Sequence, residues 1–197
     1  MRTAVRWATA LVFAVACGVA MSFGQTYASD GVRPLFNSAA PVVAIAGIVA
    51  LAARHAWSSA LLGGLSGPTI MAGYYVTAHL RGFDSNASYI ALWSTAGIAF
   101  GAAMGLATWL LRARVGPVLR AAAASLWPGI AIGEAWHGLT RIADSTPPSY
   151  WWTQAAIGSA ALLIRAGTRV PTWAGRALAV VFTAVVAVVL YALYGTA

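Results

Sequence analysis

Long apolar runs separated by short polar connections fill most of the 197-residue chain. A membrane-spanning helix needs about 20 mostly apolar residues, within a range near 17–25. Seven runs approach this length, and the shortness of the second and sixth leaves six spans as the alternative. The runs are residues 5–23, 39–53, 57–80, 88–111, 118–139, 150–166 and 174–194. The pattern predicts an all-α fold, a polytopic membrane helix bundle that forms one domain over residues 1–197.

The arginines predict how these helices are oriented. If the N-terminus is cytoplasmic, only Arg33, Arg81 and Arg141 fall on the outer side, each within three residues of an aspartate. All other arginines then fall on the inner side, as the positive-inside rule expects of short loops. This bias supports an odd number of spans. The chain is therefore expected to be a multi-pass protein of the cell membrane.

The composition is typical of a membrane protein and argues against several kinds of site and partner. The chain is 60% hydrophobic and 8% charged, with a mean hydropathy of +0.77, whereas soluble domains carry about 25% charged residues. The net charge of +8 comes from arginines scattered singly between apolar runs, so we expect no nucleic-acid partner. The lack of lysine excludes Schiff-base chemistry. A single cysteine, Cys17, and the lack of paired ligand spacings predict no intrachain disulfide, no metal and no cofactor.

Glu134 is the only glutamate, and it lies within the fifth apolar run. Trp127, Ile130, Glu134, His137 and Arg141 recur at three- and four-residue steps, so a helix places them on one stripe. An ionisable side chain at membrane depth costs at least about 2.5 kcal/mol on insertion scales and by default marks a functional site. At 1.5 Å per residue, Glu134 is expected about 9 Å below the outer end of its helix. The stripe predicts a site that opens toward the outer leaflet.

Aromatic and polar residues near the outer ends of other helices extend this candidate site. Pro68, in a glycine-rich stretch of the third run, and Pro128 are expected to kink or break their helices and open a cavity. The predicted substrate-binding residues are Tyr74, Tyr75, His79, Trp93, Trp127, Trp136, Tyr150, Trp151 and Asn37. Two alternatives stay open. The rings are equally typical of an aromatic belt that anchors helix ends. Glu134 is alternatively a structural anchor, bonded to His137, Arg141 or Tyr75.

An apolar cavity that holds a carboxyl group and aromatic rings favours positive charge. Aromatic faces attract cations within about 6 Å, and a carboxyl group in apolar surroundings can stay protonated at neutral pH and act as an acid. The favoured prediction is an enzyme that protonates a lipophilic polyene or epoxide and guides the carbocation through cyclisation. The predicted catalytic residues are Glu134 as the acid, Asp144 and Asp84 as stabilising or reprotonating groups, and His137.

The alternative function is a substrate-capture subunit that takes up a cationic or aromatic vitamin. In that hypothesis Glu134 and the same rings bind the ligand, and the first outer loop, residues 24–38, closes over it. Both hypotheses expect a small-molecule partner and the lipid bilayer. The enzyme hypothesis takes the small molecule from the membrane, whereas the capture hypothesis takes it from water.

Two sequence stretches carry a resemblance to a known family. Gly-Glu-Ala-Trp-His-Gly-Leu at 133–139 and Asp-Ser-Thr-Pro-Pro-Ser-Tyr-Trp-Trp at 144–152 resemble small actinobacterial membrane proteins of unknown function. In size, number of spans and isolated acids the chain is more distantly similar to bacterial membrane-bound terpene cyclases, which implies acid-initiated cyclisation. Aspartate-rich diphosphate motifs are missing, so a diphosphate-ionising cyclase is not expected. Substrate-binding subunits of vitamin transporters are similar in size but usually have six spans.

Overall fold

Seven α-helices and one short 3₁₀ helix make up residues 2–195, the part of the chain that the computed structural model describes, without the side chain of Arg2. The α-helices are α1 (Arg2–Tyr27), α2 (Ala39–Ala50), α3 (Ala56–Leu80), α4 (Ala87–Leu110), α5 (Pro117–Arg141), α6 (Pro148–Arg169) and α7 (Trp173–Tyr194). The 3₁₀ helix, Arg33–Asn37, lies between α1 and α2. The all-α prediction and the order of the seven helices are confirmed.

Among the described residues, three helices are long and apolar enough to cross a membrane: Thr3–Tyr27 within α1, Ala87–Leu110 in α4 and Trp173–Tyr194 in α7. They indicate membrane association, whereas seven spans are not confirmed. Helix α2 is apolar but has only 12 residues, about 18 Å of helix against a hydrocarbon core of about 30 Å. Helix α6 has 22 residues and is longer than the sequence pattern predicted.

The helices group into two compact units. The first unit contains the residues up to Ala28 together with Pro41–Trp109, and the second contains Ser29–Ala40 and the residues from Leu110 onward. The boundary therefore falls within α2, whose first two residues belong to the second unit. The prediction of a single domain stays a prediction.

The first unit is held together by close contacts between helix backbones. A side chain at Gly63 would collide with the backbone of Gly101, and one at Gly67 would collide with Gly97. Small residues let membrane helices approach this closely. The glycines of α3 and α4 therefore allow the two helix backbones to pack in direct contact. Helix α3 continues through Pro68, and α5 continues through Pro128, so neither proline breaks its helix as the sequence suggested.

Arg81 lies at the end of α3, in the first unit, among aromatic rings. Its guanidinium donates to the Ser22 carbonyl oxygen at 2.9 Å and lies 4.5 Å from the centre of the Phe23 ring. The rings of Tyr27 and Phe83 both lie 5.2 Å from it. These contacts hold the Arg81 guanidinium against the C-terminal end of α1.

The second unit packs α5 between α6 and α7. A side chain at Gly133 of α5 would collide with the backbone of Ala187 in α7, and one at Gly138 would collide with the ring of Trp151 in α6. These glycines bring α5 close to both neighbours. The polar side chains that lie between the three helices are therefore within hydrogen-bonding distance of one another.

Candidate functional site

The carboxylate of Glu134 accepts four hydrogen bonds in the interior of the second unit. Its side chain is only 4% exposed. Oε1 accepts from the backbone N–H of Ala39 at 2.6 Å and from the Tyr194 hydroxyl at 2.9 Å. Oε2 accepts from the backbone N–H of Ala40 at 2.9 Å and from Nε2 of Gln154 at 3.0 Å. Each oxygen therefore takes one backbone donor and one side-chain donor.

The two backbone donors are the first two residues of α2. The first turn of a helix has N–H groups without intrahelical partners, and a side-chain oxygen usually satisfies some of them as a cap. The hydroxyl of the preceding residue, Ser38, donates to the carbonyl oxygen of Pro34 at 2.8 Å and lies 2.9 Å from the Tyr150 hydroxyl, and neither of these partners is an N–H group of α2. The third helical residue, Pro41, has no N–H group to satisfy. Glu134, which is 95 residues away from Ala39 in the chain, therefore caps α2 from α5.

A negative group at the N-terminus of a helix also interacts favourably with the helix dipole. Both effects hold the carboxylate of Glu134 in place. The four donors are all neutral groups, so these contacts satisfy the oxygen atoms without pairing the charge with a cation. Buried ionised groups are usually paired with an opposite charge or bound to a metal. A buried acid with only neutral partners is the unusual feature of this site.

A second layer of polar contacts surrounds the carboxylate. Gln154 donates to the carbonyl oxygen of Ala131 at 3.1 Å as well as to Glu134. The Tyr150 hydroxyl lies 2.7 Å from Oε1 of Gln154 and 2.9 Å from the hydroxyl of Ser38. Both Tyr150 and Gln154 are buried, and they lie one turn apart on α6. This layer fixes the side chain that donates to Glu134 from α6.

Trp127 also contacts the start of α2, at a backbone carbonyl oxygen instead of a backbone N–H group. Its indole N–H donates to the carbonyl oxygen of Ala40 at 2.9 Å. The guanidinium of Arg165 lies 5.7 Å from the centre of its ring. Trp127 and Glu134 thus both project from α5 to the first two residues of α2.

An aromatic cluster lies between the C-terminal ends of α5 and α7. The ring of His137 stacks on Tyr194 at 4.8 Å, and the ring of Trp136 stacks on Tyr191 at 4.3 Å. Arg141 donates to the Tyr191 hydroxyl at 3.1 Å. Because Tyr194 also bonds to Glu134, this cluster is continuous with the buried carboxylate.

The structure brings part of the predicted site together. Trp127, Glu134 and Tyr150 share one hydrogen-bond network, and His137 joins it through Tyr194. Trp151 packs beside Tyr150 at 4.7 Å and donates to Thr146, at the periphery of the network. The remaining predicted residues of the second unit are Asn37, Trp136 and Asp144, all of which are exposed.

Five predicted site residues belong to the first unit: Tyr74, Tyr75, His79, Asp84 and Trp93. Tyr74 and Tyr75 contact each other edge to face at 5.1 Å. His79 and Asp84 are exposed, and Trp93 is partly buried. Their predicted roles stay predictions, since a shared site with Glu134 was inferred from the sequence alone.

Sequence reasoning missed three of the groups that contact Glu134 or its partners. Tyr194 lies at the end of the last helix, and its distance from Glu134 in the chain gave no reason to pair the two. Gln154 has a weak signal, because it is a polar residue one helical turn after Tyr150 in a partly apolar helix. Ser38 followed by Ala39, Ala40 and Pro41 is a recognisable helix start that lacks a local cap.

Within residues 2–195, no group of three or more His, Cys, Asp or Glu side chains is placed as metal ligands would be. The fold and the site together define an α-helical protein in which three of the described helices are long and apolar enough to cross a membrane and a buried carboxylate is fully hydrogen-bonded. Residues 1–197 match a family described as a family of unknown function (DUF6518), and the chain belongs to that family. No curated protein and no solved structure was found to match the chain.

Proposed function

We propose that this protein is a multi-pass enzyme of the cell membrane that cyclises a lipophilic isoprenoid by acid-initiated carbocation chemistry. The observation that carries the proposal is the burial of the Glu134 carboxyl group among neutral donors, with no cation among the four groups that bond to it. Isolated acids at membrane depth are costly and are usually kept for function. The proposal includes a cytoplasmic N-terminus and seven spans.

In the proposed reaction, the proton of Glu134 adds to a terminal alkene carbon or epoxide oxygen. The π electrons of the next double bond form the new ring bond, and the positive charge moves along the chain. Loss of a proton from the final cation returns the enzyme to its starting state, so the net change is an isomerisation. Tyr150, Trp127 and His137 contribute rings near the acid, and aromatic faces stabilise positive charge without forming bonds to it.

A second candidate is a structural role for Glu134, and its capping of α2 specifically favours that role. Two of its four hydrogen bonds satisfy backbone groups that would otherwise be buried without partners. An unsatisfied buried donor costs about 1–3 kcal/mol. In this case, the protein would be a membrane component whose buried acid only holds its helices together.

The substrate-capture subunit is the third candidate. Its support is the same uncompensated charge, which would attract a cationic ligand. Each carboxylate oxygen already accepts two bonds, so a ligand would have to displace Tyr194 or Gln154 to reach it. This requirement makes capture the least direct use of the geometry.

Substitution of Glu134→Gln tests the three candidates against one another. The enzyme proposal expects product from a terminally epoxidised polyprenyl aromatic to fall about 100-fold or more, the range typical of general acids, in protein that still folds. Asp30→Asn, at an exposed acid of the second unit with no predicted catalytic role, is the matched control for the loss of one carboxylate. Product formation that survives in a folded Glu134→Gln protein contradicts the enzyme proposal.

Thermal unfolding in detergent separates the remaining two candidates. A structural role predicts a lowered unfolding temperature for Glu134→Gln, because an amide nitrogen would face the N–H group of Ala39 or Ala40. A capture role predicts that the wild-type protein is stabilised by thiamine or another water-soluble cation, and that the variant is not. A wild-type protein that binds no soluble cation contradicts capture.

A further inference from the structure

We infer that Tyr194 is a further catalytic residue, which passes the proton of Glu134 to the substrate. The inference rests on the proposed function and names a residue that the sequence did not indicate. It starts from the observation that the Tyr194 hydroxyl and Oε1 of Glu134 are 2.9 Å apart.

The four partners of Glu134 differ in what they can do with a proton. Ala39, Ala40 and Gln154 present N–H groups, which donate hydrogen bonds and cannot accept them. The amide oxygen of Gln154 is within hydrogen-bonding distance of the Tyr150 hydroxyl, at 2.7 Å, and not of Glu134. A hydroxyl both donates and accepts, so the bond between Glu134 and Tyr194 can run in either direction.

This difference fixes where a proton on Glu134 can lie. When the carboxyl group is protonated, its O–H group needs an acceptor, and among its four partners only the Tyr194 oxygen can provide one. Oε1 would then donate to Tyr194 while it still accepts from Ala39. Oε2 would keep both of its N–H donors. The protonated acid therefore fits the observed arrangement without any rotation of its other partners.

Tyr194 is also less deeply buried than the acid. Glu134 is 4% exposed, whereas Tyr194 is partly buried. The ring of His137 stacks on Tyr194 at 4.8 Å and an interplanar angle of 28°, which limits the movement of the phenol. Of the two groups, the less buried Tyr194 is therefore the one that a substrate would reach more readily.

The proton transfer balances without any other reactant. The O–H bond of Tyr194 breaks as its proton joins the terminal alkene carbon or epoxide oxygen of the substrate. The O–H bond of Glu134 breaks at the same time, and its proton forms the new O–H bond of Tyr194. Glu134 is left as a carboxylate. When the cyclised cation loses a proton, the proton returns through Tyr194 to Glu134.

Tyr194→Phe and Gln154→Met form the test pair, because each removes one neutral donor from Glu134 and only the first removes a group that can carry a proton. With the terminally epoxidised polyprenyl aromatic as the substrate, we expect Tyr194→Phe to lose about 100-fold or more of product formation. Folded Gln154→Met should lose at least about 10-fold less product formation than Tyr194→Phe, because it removes a hydrogen bond to Glu134 and no proton carrier. Equal losses in both folded variants would overturn the role of Tyr194.

The outcomes distinguish the inference from the proposed function. Full product formation in Tyr194→Phe with none in Glu134→Gln overturns the proton transfer through Tyr194 and leaves Glu134 as the acid. Full product formation in both variants overturns the proposed function itself.

Infrared spectroscopy of the wild-type protein gives a second test that needs no variant to fold. Because the chain has a single glutamate, isotope-labelled glutamate in cell-free synthesis marks the Glu134 side chain alone. We expect a protonated-carboxyl band at the frequency of a hydrogen-bonded acid, which shifts to higher frequency in Tyr194→Phe. A band that does not shift in the folded variant, or the lack of a protonated band at every pH at which the protein is active, would overturn the inference.

Discussion

The two units of this protein use different interactions to hold apolar helices together. In the first unit, glycines of α3 and α4 bring helix backbones into direct contact, as Gly63 and Gly101 show. In the second unit, Glu134 joins the start of α2 to α6 and α7 through hydrogen bonds. Lipid gives helices no hydrophobic reason to associate, so membrane helices depend on close packing or polar contacts. The first unit depends on close packing, and the second unit adds a polar network to the close packing at Gly133 and Gly138.

Glycine contacts and polar networks differ in the chemistry that they allow. A close contact between glycines contains no side chain that could donate, accept or transfer a proton. A polar network has donors and acceptors that can exchange protons, and it is costly when incomplete. The second unit therefore combines the capacity for chemistry with the greater sensitivity to single substitutions.

The largest effect is expected from Glu134→Leu. This change leaves the donors of Ala39, Ala40, Gln154 and Tyr194 without their acceptor, and at about 1–3 kcal/mol for each unsatisfied donor the free energy of unfolding should fall by about 4 kcal/mol or more. Hydrogen exchange measured by mass spectrometry should increase at the start of α2 and in α5–α7. Unchanged exchange at Ala39 and Ala40 would show that Glu134 does not cap α2.

A smaller effect is expected from Gly63→Ala in the first unit. The added methyl group would collide with the backbone of Gly101, so α3 and α4 must separate slightly. Overpacking of this kind costs about 1–3 kcal/mol. Gly64→Ala is the matched control, because its methyl group would lie 3.3 Å from the Ile98 carbonyl oxygen and 3.4 Å from Ala102. Equal unfolding temperatures for the two variants would contradict the close backbone contact at Gly63.

The helices of both units could be predicted from the sequence because each is a long apolar run between polar connections. The α3–α4 contact was partly predictable as well, since glycines recur four residues apart in α4 at Gly97, Gly101 and Gly105. Glu134 stood out because it is a single acid in an apolar run. In each case the signal lies in one continuous segment.

The partners of Glu134 could not be predicted in the same way. Ala39 and Ala40 contribute only backbone N–H groups, which every residue except proline has. Tyr194 is 60 residues from Glu134, and its contact depends on how α5 and α7 pack. The sequence suggested His137, Arg141 or Tyr75 as structural partners of the acid, and the four bonds of Glu134 go to other groups. Tertiary packing brings these partners to Glu134, and no local sequence pattern predicts which groups they are.

The smallest effect on stability is expected from Trp127→Phe, because Trp127 bonds to the Ala40 carbonyl oxygen and not to Glu134 itself. The change removes the hydrogen bond to the Ala40 carbonyl oxygen and keeps an aromatic ring in place. A neutral hydrogen bond contributes about 0.5–1.5 kcal/mol, and its loss lowers the unfolding temperature of a protein of this size by about 1–6 °C. Trp152→Phe, at a tryptophan that is 65% exposed, is the control and should unfold as the wild type does.

Because Phe keeps a ring beside the acid, product formation should change little if Trp127 stabilises positive charge. A large loss of product from a stable Trp127→Phe protein would instead mean that the indole N–H group matters for more than the position of α2.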